Sequence, residues 1–272
     1  MVGFPLRKKQ EPNLDEYGEL VEARGTLVEH LDELRVRIMR ALFFVVGGWT
    51  AGWFLEPYVY GHLDKLLRSA LPKDIKYQDA FTNFADPFFL KFKLSFIIGL
   101  IIMAPFIINE LWGFIRPALK SNEKKALRKV APLSVFLFFC GTFFGYQILV
   151  PAFNWFLSFV NDFQSAALFQ APGTFVTFVL KMLLAFGLGF QLPIVVWFLA
   201  NVGILSSDTL LKNWRVSLMV IIAGSAIITP SGDLFSLAMM SVPLAVLFML
   251  SIVAIRITEK RKKKIEVEER FE

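Results

Sequence analysis

Two carboxylates, Glu33 and Glu123, stand out in this 272-residue chain by residue type and setting. Both lie on interfacial segments set among apolar and aromatic residues: Leu31-Asp32-Glu33-Leu34-Arg35, and Ser121-Asn122-Glu123-Lys124-Lys125 after an aromatic run. A carboxylate accepts paired hydrogen bonds from the planar fork of a guanidinium. Two such groups on neighbouring interfacial segments would suit a ligand carrying two guanidinium groups. Each also has a simpler role. Glu33 stands four residues before Arg37, the spacing of a helical ion pair. Glu123 would lie in the first turn of a helix capped by Ser121, where negative charge favours the helix dipole. Glu110, beside Trp112, ends an apolar run at headgroup level.

Catalytic chemistry finds no footing. No H-E-x-x-H, G-x-S-x-G, P-loop or G-x-G-x-x-G pattern occurs. Gly187-Leu188-Gly189 lies in an apolar run where a phosphate would not go. One cysteine, Cys140, and two histidines, His30 and His62, leave little for a metal site or disulfide framework. No metal and no cofactor are expected, and no enzyme activity.

The elements that must position these carboxylates follow from composition. The chain is 56% hydrophobic and 19% charged, with thirty phenylalanines and a mean hydropathy of +0.56. Soluble domains carry about 25% charged residues. The expectation is an all-α polytopic membrane protein. Six apolar runs are counted, at 41–60, 88–112, 130–150, 175–200, 214–229 and 234–255. A full span needs about 20 residues, so the fifth is short and implies a thinned bilayer or burial against neighbours. Residues 1–26 read as a flexible tail, without a cleavable signal. Residues 27–40 read as an amphipathic interfacial helix, with Leu27, Leu31, Leu34 and Ile38 on one face. Residues 259–272 form a charged tail, leaving 27–258 as the membrane domain.

Charge gives orientation. The N-terminal segment holds seven Lys and Arg, the second-to-third connection six, the fourth-to-fifth two and the C-terminal tail seven. Together these are 22 of the 29, against four on the opposite side. Basic residues accumulate on cytoplasmic loops, so both termini are expected in the cytoplasm. This asymmetry accounts for the net charge of +6 without nucleic acid. The outer connections 61–87 and 151–174 are read as a polar helical stretch and an aromatic cap, and Pro230-Ser231-Gly232 as a tight hairpin turn. Gly48-x-x-x-Gly52 and Gly141-x-x-x-Gly145 have the spacing that lets helices approach closely, here for packing within the chain.

Few polar residues lie inside the runs. Lys91 and Lys93 can snorkel to the interface. Lys181 is deeper, and Gln191 deeper still, two residues before Pro193. Gln191 either satisfies backbone freed by Pro193 or marks a wet groove that faces substrate.

His30-Leu31-Asp32-Glu33-Leu34-Arg35-Val36-Arg37 resembles the N-terminal signature of the TatC family, the receptor subunits of the twin-arginine protein translocase. Trp112-Gly113-Phe114-Ile115-Arg116-Pro117-Ala118-Leu119, followed by Glu123-Lys124-Lys125, is similar to the family's first cytoplasmic loop. Phe190-Gln191-Leu192-Pro193-Ile194, and Thr229-Pro230 with Asp233, resemble its fourth span and last outer turn. The resemblance covers about residues 27–258. It implies a concave, glove-like bundle of six transmembrane helices in the inner membrane of a prokaryote. It also implies binding of twin-arginine signal peptides of folded proteins, with Glu33, Glu123, Phe114, Arg35 and Leu31 as the contact residues. Single-span TatA/TatB-type partners would dock against the fifth and sixth spans, near Thr229, Pro230 and Asp233, in an oligomeric complex in the lipid. Export would be driven by the proton-motive force. The chain departs from the family pattern at Gln191, where Glu is frequent, at Leu66, near a frequent proline, and at Leu237, near a frequent polar residue. The rival reading is a small-solute or ion transporter using Lys181 and Gln191.

Overall fold

The computed structural model describes residues 27–71, 76–116, 121–162, 167–229 and 233–271, with side chains over 31–71, 77–116, 130–160, 169–227, 229 and 233–260. The expected tail 1–26, Pro230 and the Glu123 side chain lie outside these. The chain is almost entirely helical: α1 (Leu27–Ala70), α2 (Asp86–Ile115), α3 (Ser121–Ser158), α4 (Pro172–Gly189), α5 (Leu192–Asn201), α6 (Ser207–Lys212), α7 (Trp214–Ile228) and α8 (Leu234–Phe271). Five helical stretches are long and apolar enough to cross a membrane: Leu31–Ala70, Asp86–Ile115, Val130–Ser158, Pro172–Asn201 and Leu234–Lys260. The protein is a multi-pass membrane protein, and α7 adds a shorter apolar helix of 15 residues.

Helices overrun the expected boundaries. The interfacial helix, the first apolar run and the polar stretch after it are one helix of 44 residues. Nothing between 27 and 70 breaks it except Pro57, and a proline costs a helix one hydrogen bond without necessarily ending it. α3 likewise runs through Pro132 and Pro151 to Ser158, so the expected cap starts one to two turns later than Pro151. α8 continues into the charged tail to Phe271.

One departure from an all-helical chain lies in the two long connections. β1 (Lys76–Asp79) and β2 (Ala167–Gln170) pair in parallel, with Lys76 opposite Ala167 and Asp79 opposite Gln170. Parallel strands need a long crossover, and α2 and α3 supply it. Arg68, near the end of α1, fastens this ladder. It donates to Asp64 at 2.7 Å and to Asp79 at 2.9 Å, and its guanidinium lies 4.9 Å from the Tyr77 ring centroid. Tyr77 donates to Asp79 at 2.8 Å. Burial, then that hydrogen bond, raise the Tyr77 pKa above its ordinary value.

The fourth apolar run is not one kinked helix. It breaks at Phe190–Gln191 into α4 and α5, with Pro193 in the first turn of α5. That position tolerates proline because its missing N–H would have had no intrahelical acceptor.

The main core is formed by α1, α2, α3, α4 and α8 around Leu94, Leu149, Val179, Phe186, Met240 and Ile255. A second cluster, around Trp112, Val130, Phe138, Ile194 and Phe198, sits at the end of the molecule where α2 finishes and α3 begins. Glycines set the helix spacing. A Cβ on Gly52 would overlap the Ser95 carbonyl, one on Gly48 the Gly99 carbonyl, and one on Gly141 the Phe186 carbonyl. Both G-x-x-x-G pairs are thus used within the chain. Gly52→Val should cost about 1–3 kcal/mol as an overpacked contact. Gly47→Val, at a position with nothing within 4 Å, should be near neutral. Thermal unfolding of the purified protein in detergent compares them, and equal midpoints would contradict the seam.

Candidate functional site

At the end of the molecule where α1 begins and α2 finishes, four charged side chains meet. Arg37 donates from Nε and Nη2 to the same Glu33 oxygen, Oε1, at 3.0 and 2.6 Å. Its remaining nitrogen, Nη1, donates across to Glu110 Oε2 at 3.1 Å. Arg40 approaches the other Glu110 oxygen at 3.8 Å. The Glu33–Arg37 spacing is the expected helical ion pair. The bond to Glu110 is long-range and joins α1 to α2.

Local backbone explains the seat. Gly113 lies one turn beyond Glu110 on α2, and a Cβ there would collide with the Arg37 guanidinium. Glycine therefore leaves room for the flat ion against the helix. The Glu110 side chain is 13% exposed, Arg37 22% and Glu33 32%. Of these three, Glu33 is the most open and Glu110 the most enclosed.

The other expected residues are distributed as follows. Leu31 and Arg35 are exposed. Two residues from Glu33 is about 200° around a helix, so Arg35 faces away from the Glu33–Arg37 pair. Arg35 lines an open crevice along α1 with Asp32, Val36, Met39 and Phe43. Phe114 is half-buried in the last turn of α2. The Glu123 backbone belongs to the first turn of α3.

Gln191 is not turned to its own helix break. Its Nε2 donates to the Ser134 carbonyl on α3 at 3.0 Å. Ser134 is fully buried, and its hydroxyl accepts from Trp112 Nε1 at 2.8 Å. One serine thus joins α2, α3 and the α4–α5 break, and the Trp112 ring packs edge-on against Phe198 at 5.1 Å. Lys181 is exposed on α4, with no ion pair among the described residues. Lys91 places its ammonium 4.7 Å from the Trp53 ring centroid. At the opposite end, Thr229 is buried and donates to the Ser225 carbonyl at 2.5 Å. Asp233 accepts the Ser236 N–H at 2.8 Å and so caps α8.

The family described as Sec-independent protein translocase protein (TatC) matches residues 29–243. The chain belongs to the TatC family. A TatC protein of Desulforapulum autotrophicum is 34% identical over 248 residues, 91% of this chain and 90% of its own length. One from Carboxydothermus hydrogenoformans is 33% identical over 84% of this chain and 91% of its own length. A crystal structure of the twin-arginine translocase receptor TatC superposes with a TM-score of 0.71 at 28% identity, covering 84% of this chain and 98% of that one. The chain is accordingly a subunit of the twin-arginine protein translocase.

Within this TatC-family framework, sequence reasoning missed three contacts. The Arg37–Glu110 bond was one. Its signal was available: a carboxylate near the end of an apolar run requires a partner, and Arg37 and Arg40 are basic residues at the facing end. The second is α6, capped by the Ser206 hydroxyl, which accepts from the Thr209 N–H at 3.2 Å. The third is Glu259 on α8, which accepts from the Ser207 N–H at 3.0 Å and from the Ser207 hydroxyl. A carboxylate at the start of a helix complements its dipole.

Ser134 and Gln191 make a ranked prediction. Ser134→Ala leaves the buried Trp112 N–H without its acceptor, at about 1–3 kcal/mol. Gln191→Leu removes one side-chain hydrogen bond inside the membrane, worth about 0.6 kcal/mol on average. Thermal unfolding in detergent should therefore show Ser134→Ala as the more destabilised variant. The reverse order would mean that Gln191, not Ser134, holds the junction.

Proposed function

We propose that this chain binds the twin-arginine signal peptides of folded proteins at its cytoplasmic face. Glu33 and Glu123 receive the two guanidinium groups, with Phe114 beside them, and Leu31 and Arg35 contact the rest of the peptide from the neighbouring face of α1. The observation that carries this reading is the geometry at Glu33. One of its oxygens already holds two N–H groups of an arginine at 3.0 and 2.6 Å, in a part-exposed setting at a helix end. Membership of the TatC family supports it.

The same reading takes residues 27–258 as a six-span, glove-like membrane domain, with α7 as the short span and with both termini cytoplasmic, as the basic residues suggest. Residues 1–26 and 259–272 are its cytoplasmic tails, and the membrane is the inner membrane of a prokaryote. The chain acts as a receptor and scaffold and not as an enzyme. Its energy comes from the proton-motive force. Single-span partners of the TatA/TatB type dock on the edge formed by α7 and α8. Val216, Met219, Val220 and Ile222 are exposed there, and the partner contact extends to Thr229, Pro230 and Asp233. The rival reading, small-solute or ion transport through Lys181 and Gln191, has weaker support, because Gln191 is committed to the Ser134 carbonyl.

Peptide affinity to purified protein in lipid discs tests the binding site. Charge-assisted hydrogen bonds contribute about 1.5–3 kcal/mol each. Partial exposure holds the gain near the lower end, so Glu33→Gln or Glu123→Gln should weaken an Arg-Arg peptide roughly ten- to a hundredfold. A Lys-Lys peptide of equal charge should bind worse, because ammonium lacks the planar fork. Wild-type affinity in both single variants, or equal binding of the Lys-Lys peptide, would sink the paired-carboxylate reading.

A further inference from the structure

The carboxylate that is to receive an incoming arginine is already bonded to one of the protein's own. Arg37 spends Nε and Nη2 on Glu33 Oε1 and Nη1 on Glu110 Oε2. Among the described residues, nothing bonds the second Glu33 oxygen. A ligand guanidinium can begin on that second oxygen, but full paired bonding at Glu33 requires Arg37 to give way.

We infer that Arg37 is a built-in competitor for the ligand's guanidinium, and that Glu110 is the positioning residue that sets how readily Arg37 yields. The inference rests on the reading of Glu33 as a ligand-binding carboxylate. Its physical basis is the three-way geometry. Arg37 is only 22% exposed, so an arginine stripped of both carboxylates would be a poorly hydrated, unpaired cation, which is costly. Glu110 prevents that. It stays bonded to Nη1 while Glu33 is surrendered, and Arg40, 3.8 Å away, balances its second oxygen. The exchange then trades one part-exposed i,i+4 pair for a bond to the ligand. Gly113 matters to the same balance, because its missing Cβ is the space that lets Arg37 lie in the seat.

A double-mutant cycle reads this directly. The probe is a labelled Arg-Arg signal peptide titrated onto full-length protein in lipid discs. Glu110→Gln should weaken binding about tenfold, since about 1.4 kcal/mol is a factor of ten, although Glu110 does not touch the peptide. Arg37→Gln should tighten binding about twofold, the worth of an exposed i,i+4 pair. In the Arg37→Gln background, Glu110→Gln should have almost no further effect, because no displaced cation needs holding. A merely structural Glu110 would weaken binding equally in both backgrounds, and that result overturns the inference. Gly113→Ala gives a second arm with every charge retained. Its methyl group would fall closest to Nη1, the nitrogen that bonds Glu110, so it should weaken binding as Glu110→Gln does, and unchanged or tighter affinity there also overturns the inference. Glu33→Gln keeps the two readings apart. If it binds as wild type, the site itself is wrong. If it weakens binding while the Glu110 effect is independent of Arg37, only the competitor is wrong.

Discussion

The close approach of α1 and α2 is the constraint on which the rest depends. Lipid offers helices no hydrophobic reason to associate, so they are held by van der Waals contact, and small residues allow the backbones to meet. Gly52 lies against Ser95 and Gly48 against Gly99. In an antiparallel pair, each step up one helix is a step down the other. Carried along α1 to its beginning, this register sets Arg37 opposite Glu110, where the hydrogen bond is found at 3.1 Å. The ion cluster is therefore a consequence of the glycine seam. It would be displaced by any change that slid the two helices past each other.

This ordering of cause leaves the charges free for the recognition role proposed for them. Part-exposed ion pairs contribute about 0–1 kcal/mol to stability, and the seam and the buried core already fix the helices. Glu33, Arg37 and Glu110 are not needed to hold the fold together. They are placed near a helix end and part-exposed, where, on the proposed reading, one guanidinium could replace another at modest cost. A pair sealed in the hydrocarbon could not exchange, because each charge would have to be stripped of its partner before the new one arrived.

The reach of the sequence differs between the two levels of structure. Hydrophobic runs located each apolar stretch, because burial in lipid requires a continuous apolar surface and leaves a plain record. Helix ends were hidden, because Pro57, Pro132 and Pro151 are punctuation in water but are tolerated inside these helices. The β1–β2 ladder was hidden for a different reason: four-residue strands about ninety residues apart in sequence leave no local period. At the site, Glu33 and its i,i+4 partner were legible because both lie on one helix. Glu110 was visible as an interfacial carboxylate, yet its partner depended on the register of two helices. That register is set by glycines whose spacing can be read but whose opposite numbers cannot.

Gln191 shows the complementary rule. A helix broken in mid-membrane must satisfy its polar groups from protein, since no lipid can do so. The break between α4 and α5 brings Gln191 to the Ser134 carbonyl, and Ser134 in turn accepts from Trp112. Trp112 closes α2 only two residues after Glu110 and one before Gly113. The buried polar chain and the half-exposed ion cluster thus share the last turns of α2, one on its inward face and one toward α1. The inward groups are paired with neutral partners and tie the helix end to α3. The outward groups keep one oxygen, on Glu33, without a partner among the described residues. On the proposed reading, a helix end braced by buried partners and carrying an exchangeable charge suits a receptor, because a ligand's arginine could displace a side chain without moving the backbone that presents it.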